Sequence, residues 1–163
     1  MRKLLHLTGL LAFCFAFSGC PYETEVPLDV PAIKINPALL GTWKDHANSN
    51  EIYTVTKQDE FTYAIVKTQT LKAESENYLA YASVVNKTTF LNIWENRSNE
   101  KSHPFILFKM EVHHENQVVL TEVTENIDEK FTSSEALRKF VAANMKNSYF
   151  FGKEAINLVR SEP

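Results

Sequence analysis

The polar pairs in this chain best suited to chemistry are His113-His114-Glu115 and Asp45-His46. Imidazole binds transition metals, and a carboxylate beside it can orient it for proton transfer. Neither pair comes with the remaining parts such chemistry needs. Adjacent residues on a strand point to opposite faces, so His113 and His114 are poorly placed to share one metal, even with His46 and His103 nearby. Asp45-His46 has no partner serine at a recognisable nucleophile turn. Glu122, Glu125, Asp128 and Glu129 form an acidic run, but their spacing matches no calcium loop. No G-x-S-x-G, H-E-x-x-H, P-loop or dinucleotide-binding fingerprint occurs. The residues therefore read as a protein that is not an enzyme and has no metal and no cofactor.

The elements that must carry these residues begin with an address. Of 163 residues, 44% are hydrophobic and 23% charged, which fits one globular domain. Met1 to Lys3 is basic, and Leu4 to Phe17 is apolar apart from His6, Thr8 and Gly9. That stretch is short of the roughly 20 residues a membrane helix needs, and it ends in small residues, as a secretory signal does. Without residues 1–19, 15 basic side chains face 20 acidic ones, a net charge of −5. A negative domain without a basic run is a poor nucleic-acid binder.

The signal ends in Phe17-Ser18-Gly19-Cys20, which resembles the lipobox of bacterial lipoproteins. The resemblance implies that residues 1–19 are removed, that the Cys20 thiol carries a diacylglycerol and that the new amine is acylated. The protein would then partner membrane lipid through Cys20. Pro21, standing where an inner-membrane retention signal would show Asp, points to the outer membrane, with the periplasmic or surface face left open. Ala16-Phe17-Ser18 also fits an ordinary cleavage site, which would leave the domain secreted and unanchored. Cys14 leaves with the signal, so the body has no disulfide. Pro21, Pro27, Pro31 and Pro37 are four of the six prolines. They predict that residues 20–37 form an extended tether, with the domain proper spanning 38–163.

The body alternates short β runs with polar turns. Strands are predicted at Leu39–Asp45, Ile52–Lys57, Phe61–Leu71, Tyr78–Val85, Thr88–Trp94, Phe105–His113, Val118–Val123 and Glu154–Arg160. Asn86-Lys87 and Asn116-Gln117 read as tight hairpins. One helix is predicted at about Ser133–Lys146, with Thr132 as N-cap and Glu135 reaching back in a capping box. Leu137, Phe140, Val141 and Met145 recur on it at helical spacing. The fold class is mainly β: an antiparallel meander of about eight strands closing into a barrel, with one α-helix before the last strand. An open, strongly curved sheet is the competing arrangement.

Asn36-Pro37-Ala38-Leu39-Leu40-Gly41-Thr42-Trp43 resembles the entry to a lipocalin barrel, where a short helical turn precedes a G-x-W motif on the first strand. That resemblance implies that Trp43 packs across a closed barrel end against an arginine late in the chain, for which Arg160 is the candidate. The chain departs from lipocalins in lacking a T-D-Y motif and in placing its helix before the last strand. A barrel of this size either holds one small ligand or fills itself with side chains. Tyr78, Ala80, Ala82 and Val84 share one strand face, and the two alanines would open space on it. These four are the candidate lining of a site for a small apolar ligand. The alternative is a filled barrel acting as an envelope interaction module with an unidentified protein partner.

Overall fold

A computed structural model describes residues 21–72, 74–97, 103–124 and 126–161. The signal segment and Cys20 lie outside the described residues. Nine strands and one α-helix follow in the order β1 (Glu23–Thr24), β2 (Gly41–Asp45), β3 (Glu51–Lys57), β4 (Tyr63–Gln69), β5 (Glu74–Val85), β6 (Thr88–Glu95), β7 (Phe105–His113), β8 (Gln117–Val123), α1 (Ser134–Asn144) and β9 (Phe151–Arg160). Strands β2 to β8 form an antiparallel meander. β9 pairs with both β2 and β8, which closes an eight-stranded barrel. Among the described residues, closure leaves no long unpaired edge on which another chain could add a strand.

Chain direction defines two barrel ends. β2 starts and β9 stops at one end, where Trp43 pairs with Arg160. The hairpin Asn86-Lys87 lies at the same end, with both residues at positive φ (49° and 69°) as a two-residue turn of this twist requires. The β7–β8 turn differs from expectation. It spans residues 114–116, and His114 rather than Asn116 takes the left-handed conformation (φ 60°). His113 is exposed at the end of β7 and His114 is exposed in the turn, so the histidine pair is solvated.

Two cores divide the apolar residues. Inward-facing side chains such as Ile65, Ala80, Leu91 and Leu120 fill part of the barrel. The outer face of β5–β7 carries a second core, in which Val85, Phe90 and Leu107 meet Leu137 and Val141 of α1 together with Phe150. The helix thus lies against the barrel wall, burying its apolar stripe. Ser133, not Thr132, is the N-cap, accepting from the Ala136 N–H at 3.3 Å. Glu135 is turned to Lys139 instead of back to the cap (2.9 Å).

The predicted tether is not a free spacer. Residues 21–36 form a strap over the outer core. Tyr22 and Leu28 are buried in that core. β1 pairs with the start of β7, and Pro21 bridges Thr124. Prolines 27 and 31 fall outside these pairings, where no ladder donor is missed. The strap is held by Asn92, a fully buried residue of β6 whose Oδ1 accepts from the Leu28 N–H at 2.8 Å. Its Nδ2 donates to Ser83 Oγ at 2.9 Å. Tyr81 donates to the Asp29 carbonyl (2.6 Å), and Arg138 of α1 pairs with the Asp29 carboxylate (3.1 Å). Asn92→Ala strands a buried N–H and a buried hydroxyl, so it should cost about 2–4 kcal/mol. Amide exchange at Leu28 should quicken more than exchange across the barrel ladders. Unchanged protection at Leu28 would show that Asn92 does not hold the strap.

Candidate functional site: the barrel interior

One barrel end is plugged. Residues Pro37–Leu39 make a 3-10 turn capped by Asn36, with Pro37 at its first position. The turn brings Leu39 under the barrel, and Trp43 donates its indole N–H to the Leu39 carbonyl at 2.9 Å. Trp43 is buried, with the Arg160 guanidinium 4.3 Å from its ring centroid. Arg160 also donates to the carbonyls of Leu40 (3.0 Å), Ala38 and Glu115 (3.3 Å). One cation therefore binds the entry turn, the indole face and the β7–β8 turn. Gly41 explains its own place in the motif. Its φ is +128°, and a Cβ there would meet Arg160 Nη1 at 2.8 Å. Only glycine meets both demands without strain.

Above the plug the interior is not filled. A cavity of about 50 Å³ adjoins Trp43 and Ala80. A second, of about 180 Å³, lies towards the other end and is lined by Tyr53, Lys67, Tyr78, Ile93, Phe108 and Ile156 among others. Both touch Val55, Ile65, Leu120 and Leu158, so they form one apolar tract from the plug to the mouth. Of the four residues proposed from the sequence, Tyr78 lines the larger cavity and Ala80 the smaller. Ala82 is buried against Leu91 and Ile93 without lining either. Val84 lines neither cavity. It sits at the plugged end of β5, 39% exposed, with its carbonyl accepting from Arg138. The alternation that groups it with Ala80 runs on past the level of the plug.

The sequence reading missed Lys67 and its partners. Lys67 lies on β4 between Glu51 of β3 (3.4 Å) and Glu76 of β5 (3.8 Å). Tyr53 donates to Glu51 at 2.8 Å, and Tyr78 donates to Glu76 at 2.6 Å. The available signal was a repeated triplet, Glu51-x-Tyr53-x-Val55 and Glu76-x-Tyr78-x-Ala80, which runs from charge through phenol to apolar on one strand face. Of the acidic run, Glu122 lies beside Gly152, Asp128 and Glu129 are exposed, and Glu125 falls outside the described residues. Among the described residues, no three His, Cys, Asp or Glu side chains are grouped to hold a metal ion.

Burial raises the phenol pKa of Tyr22, Tyr53, Tyr63, Tyr78 and Tyr81, the last to about 12. Beside Tyr53 and Tyr78, the hydrogen-bonded carboxylates raise it further. A tyrosine in the unfolded chain loses its proton near pH 10. Above that pH the unfolded state binds fewer protons than the folded one, so stability falls as pH rises. Stability carried by these phenols should be intact below about pH 10 and lost as pH climbs through the folded values. Urea unfolding followed against pH, with phenolate absorbance alongside, checks this. Phenolate signal rising near pH 10 in the folded state, with no loss of stability, would contradict it.

No family model, curated protein or solved structure matches this chain.

Proposed function

We propose that this protein is a bacterial envelope lipoprotein, anchored through Cys20, whose barrel holds a small apolar ligand and works by binding rather than catalysis. The observation that carries the reading is the 180 Å³ apolar cavity above the Trp43 plug. An apolar cavity of about 150 Å³ stays dry and takes up benzene. The matching ligand group is therefore ring-sized or a short alkyl chain. A filled barrel would suit an interaction module, and the open tract between Ala80 and Tyr78 favours the ligand site.

The anchor rests on the lipobox-like Phe17-Ser18-Gly19-Cys20. No helix among the described residues is long and apolar enough to cross a membrane. The strap adds a geometric consequence. Pro21 bridges Thr124, just past the open end of β8, and Thr24 pairs with Phe105 at the open end of β7. Cys20 directly precedes Pro21 in the chain. A lipid on Cys20 would hold the mouth side of the barrel near the bilayer.

Mass measurement on protein extracted from its own envelope tests both halves. The mature chain should begin at Cys20 and carry the mass of a diacylglycerol, with or without an amide-linked acyl chain. Its native complex should release a small apolar molecule on unfolding. An unmodified N-terminus defeats the anchor, and a barrel that releases nothing counts against the ligand.

A further inference from the structure

The mouth of the cavity carries an ordered set of charges, and their sign selects a ligand class. Inward-facing strand residues repeat every second position. One inward step towards the open end from Trp43, Tyr53, Tyr78, Ile93, Leu120 and Ile156 stand Asp45, Glu51, Glu76, Glu95, Glu122 and Glu154. Six strands thus each carry a carboxylate one inward position nearer the mouth than an interior residue, at staggered heights, with Glu76 opposite Lys67, Glu95 opposite Tyr78 and Asp45 opposite Leu158. Glu122 faces Phe108 across β7–β8, and both Leu158 and Phe108 line the larger cavity. Two cations near the mouth are opposed by these carboxylates. Lys67 lies between Glu51 and Glu76, and Arg97 pairs with Glu95 at 2.5 Å.

From this arrangement we infer that the ligand is a cationic amphiphile, with a small apolar group in the cavity and an amine at the mouth. The inference rests on reading the interior as an apolar-ligand site. A ligand carboxylate could meet Lys67 only by displacing Glu51 or Glu76, and it would enter a field dominated by like charge. An ammonium group is all donor, and it meets a rim of acceptors. The Tyr53 and Tyr78 hydroxyls donate to Glu51 and Glu76, so the rim offers lone pairs rather than protons. The low-dielectric wall beneath focuses the negative field at the opening. A divalent metal is the poorer fit, because among the described residues no three of these side chains are grouped closely enough to hold one.

The test is a matched series of hexylamine, hexanol and hexanoate, titrated near neutral pH into the full mature chain and followed by methyl NMR. Hexylamine should bind about tenfold or more tighter than hexanoate, with hexanol between them, as like-charge exclusion at an apolar site implies. Raising the salt to about 0.5 M should narrow the gap. The paired change Glu51→Gln and Glu76→Gln, which frees Lys67, should shrink the amine preference or reverse it. Lys67→Met should widen it, and melting curves confirm that each variant folds. If hexanol binds and hexanoate equals or exceeds hexylamine, the charge inference falls while the ligand site stands. An amine preference that none of these substitutions moves overturns the role given to the mouth residues. If none of the three compounds binds, the cavity reading falls and takes this inference with it.

Discussion

Replacing Trp43 with alanine is expected to cost about 3–5 kcal/mol, a large fraction of what holds a domain of this size together. Three losses combine. The indole vacates the plugged barrel end, where it is 2% exposed and packs with Leu39, Val118 and Leu158. The Leu39 carbonyl loses its 2.9 Å partner. Arg160 loses the aromatic face beneath its guanidinium. Arg160→Ala removes the same cation–π contact and leaves the Ala38 and Leu40 carbonyls without their charged donor, for about 2–4 kcal/mol. Because each substitution destroys the shared contact, the double variant should lose less than the sum of the two, by about 0.5–3 kcal/mol. Urea unfolding of the three variants measures this directly. Strict additivity would mean that Trp43 and Arg160 stabilise the barrel independently and do not form one plug.

Much of the barrel was legible locally. The β runs from Ile52 to Val123 announce themselves through β-branched and aromatic alternation, and their polar turns are rich in asparagine. Phe105–His113 appears in the structure with the bounds its pattern gives. The plug was legible through Gly41-Thr42-Trp43 and its approach turn, although the reason for the glycine appears only once Arg160 is in place. The strap was misread because its prolines signal an extended chain and its anchor is remote. Tyr22-x-Thr24-x-Val26 does alternate, but the residue that fixes Leu28 is Asn92, 64 positions later. No local pattern reports a contact of that separation. The N-cap moved by one residue because Thr132 and Ser133 offer the same hydroxyl and only the backbone at Ser133 (φ −145°) chooses between them.

The interior is a mixed case. Two-residue alternation correctly groups Tyr78 with Ala80, but it has no knowledge of depth. It therefore grouped Val84 with residues that line cavities Val84 does not reach, and it passed over Lys67. Depth comes from strand register around the closed barrel, which sets Tyr63 opposite Ala80 and Ile65 opposite Tyr78. The same register sets Lys67 opposite Glu76 and Glu95 opposite Tyr78, residues that are not neighbours in the sequence.

Ala80→Trp is expected to abolish ligand uptake. Ala80 is fully buried beside the smaller cavity, and the extra indole would occupy space shared by both. Forcing it in should cost about 1–3 kcal/mol through overpacking, so the barrel should still fold. Far-ultraviolet circular dichroism and the melting midpoint establish that independently of binding. Val84→Trp is the matched control, placing the same side chain at the exposed end of the same strand.

The most direct measurement is calorimetric titration of hexanol, an uncharged probe, into the wild-type chain, Ala80→Trp and Val84→Trp. Burial of six carbons at about 0.8 kcal/mol each supplies about 5 kcal/mol before the cost of association, so the wild-type Kd should be millimolar or weaker. Saturable binding by the wild type and by Val84→Trp, with none detectable in a folded Ala80→Trp, is the predicted result. Equal binding by all three proteins, or none by the folded wild type, would contradict the claim that the barrel interior is a ligand site.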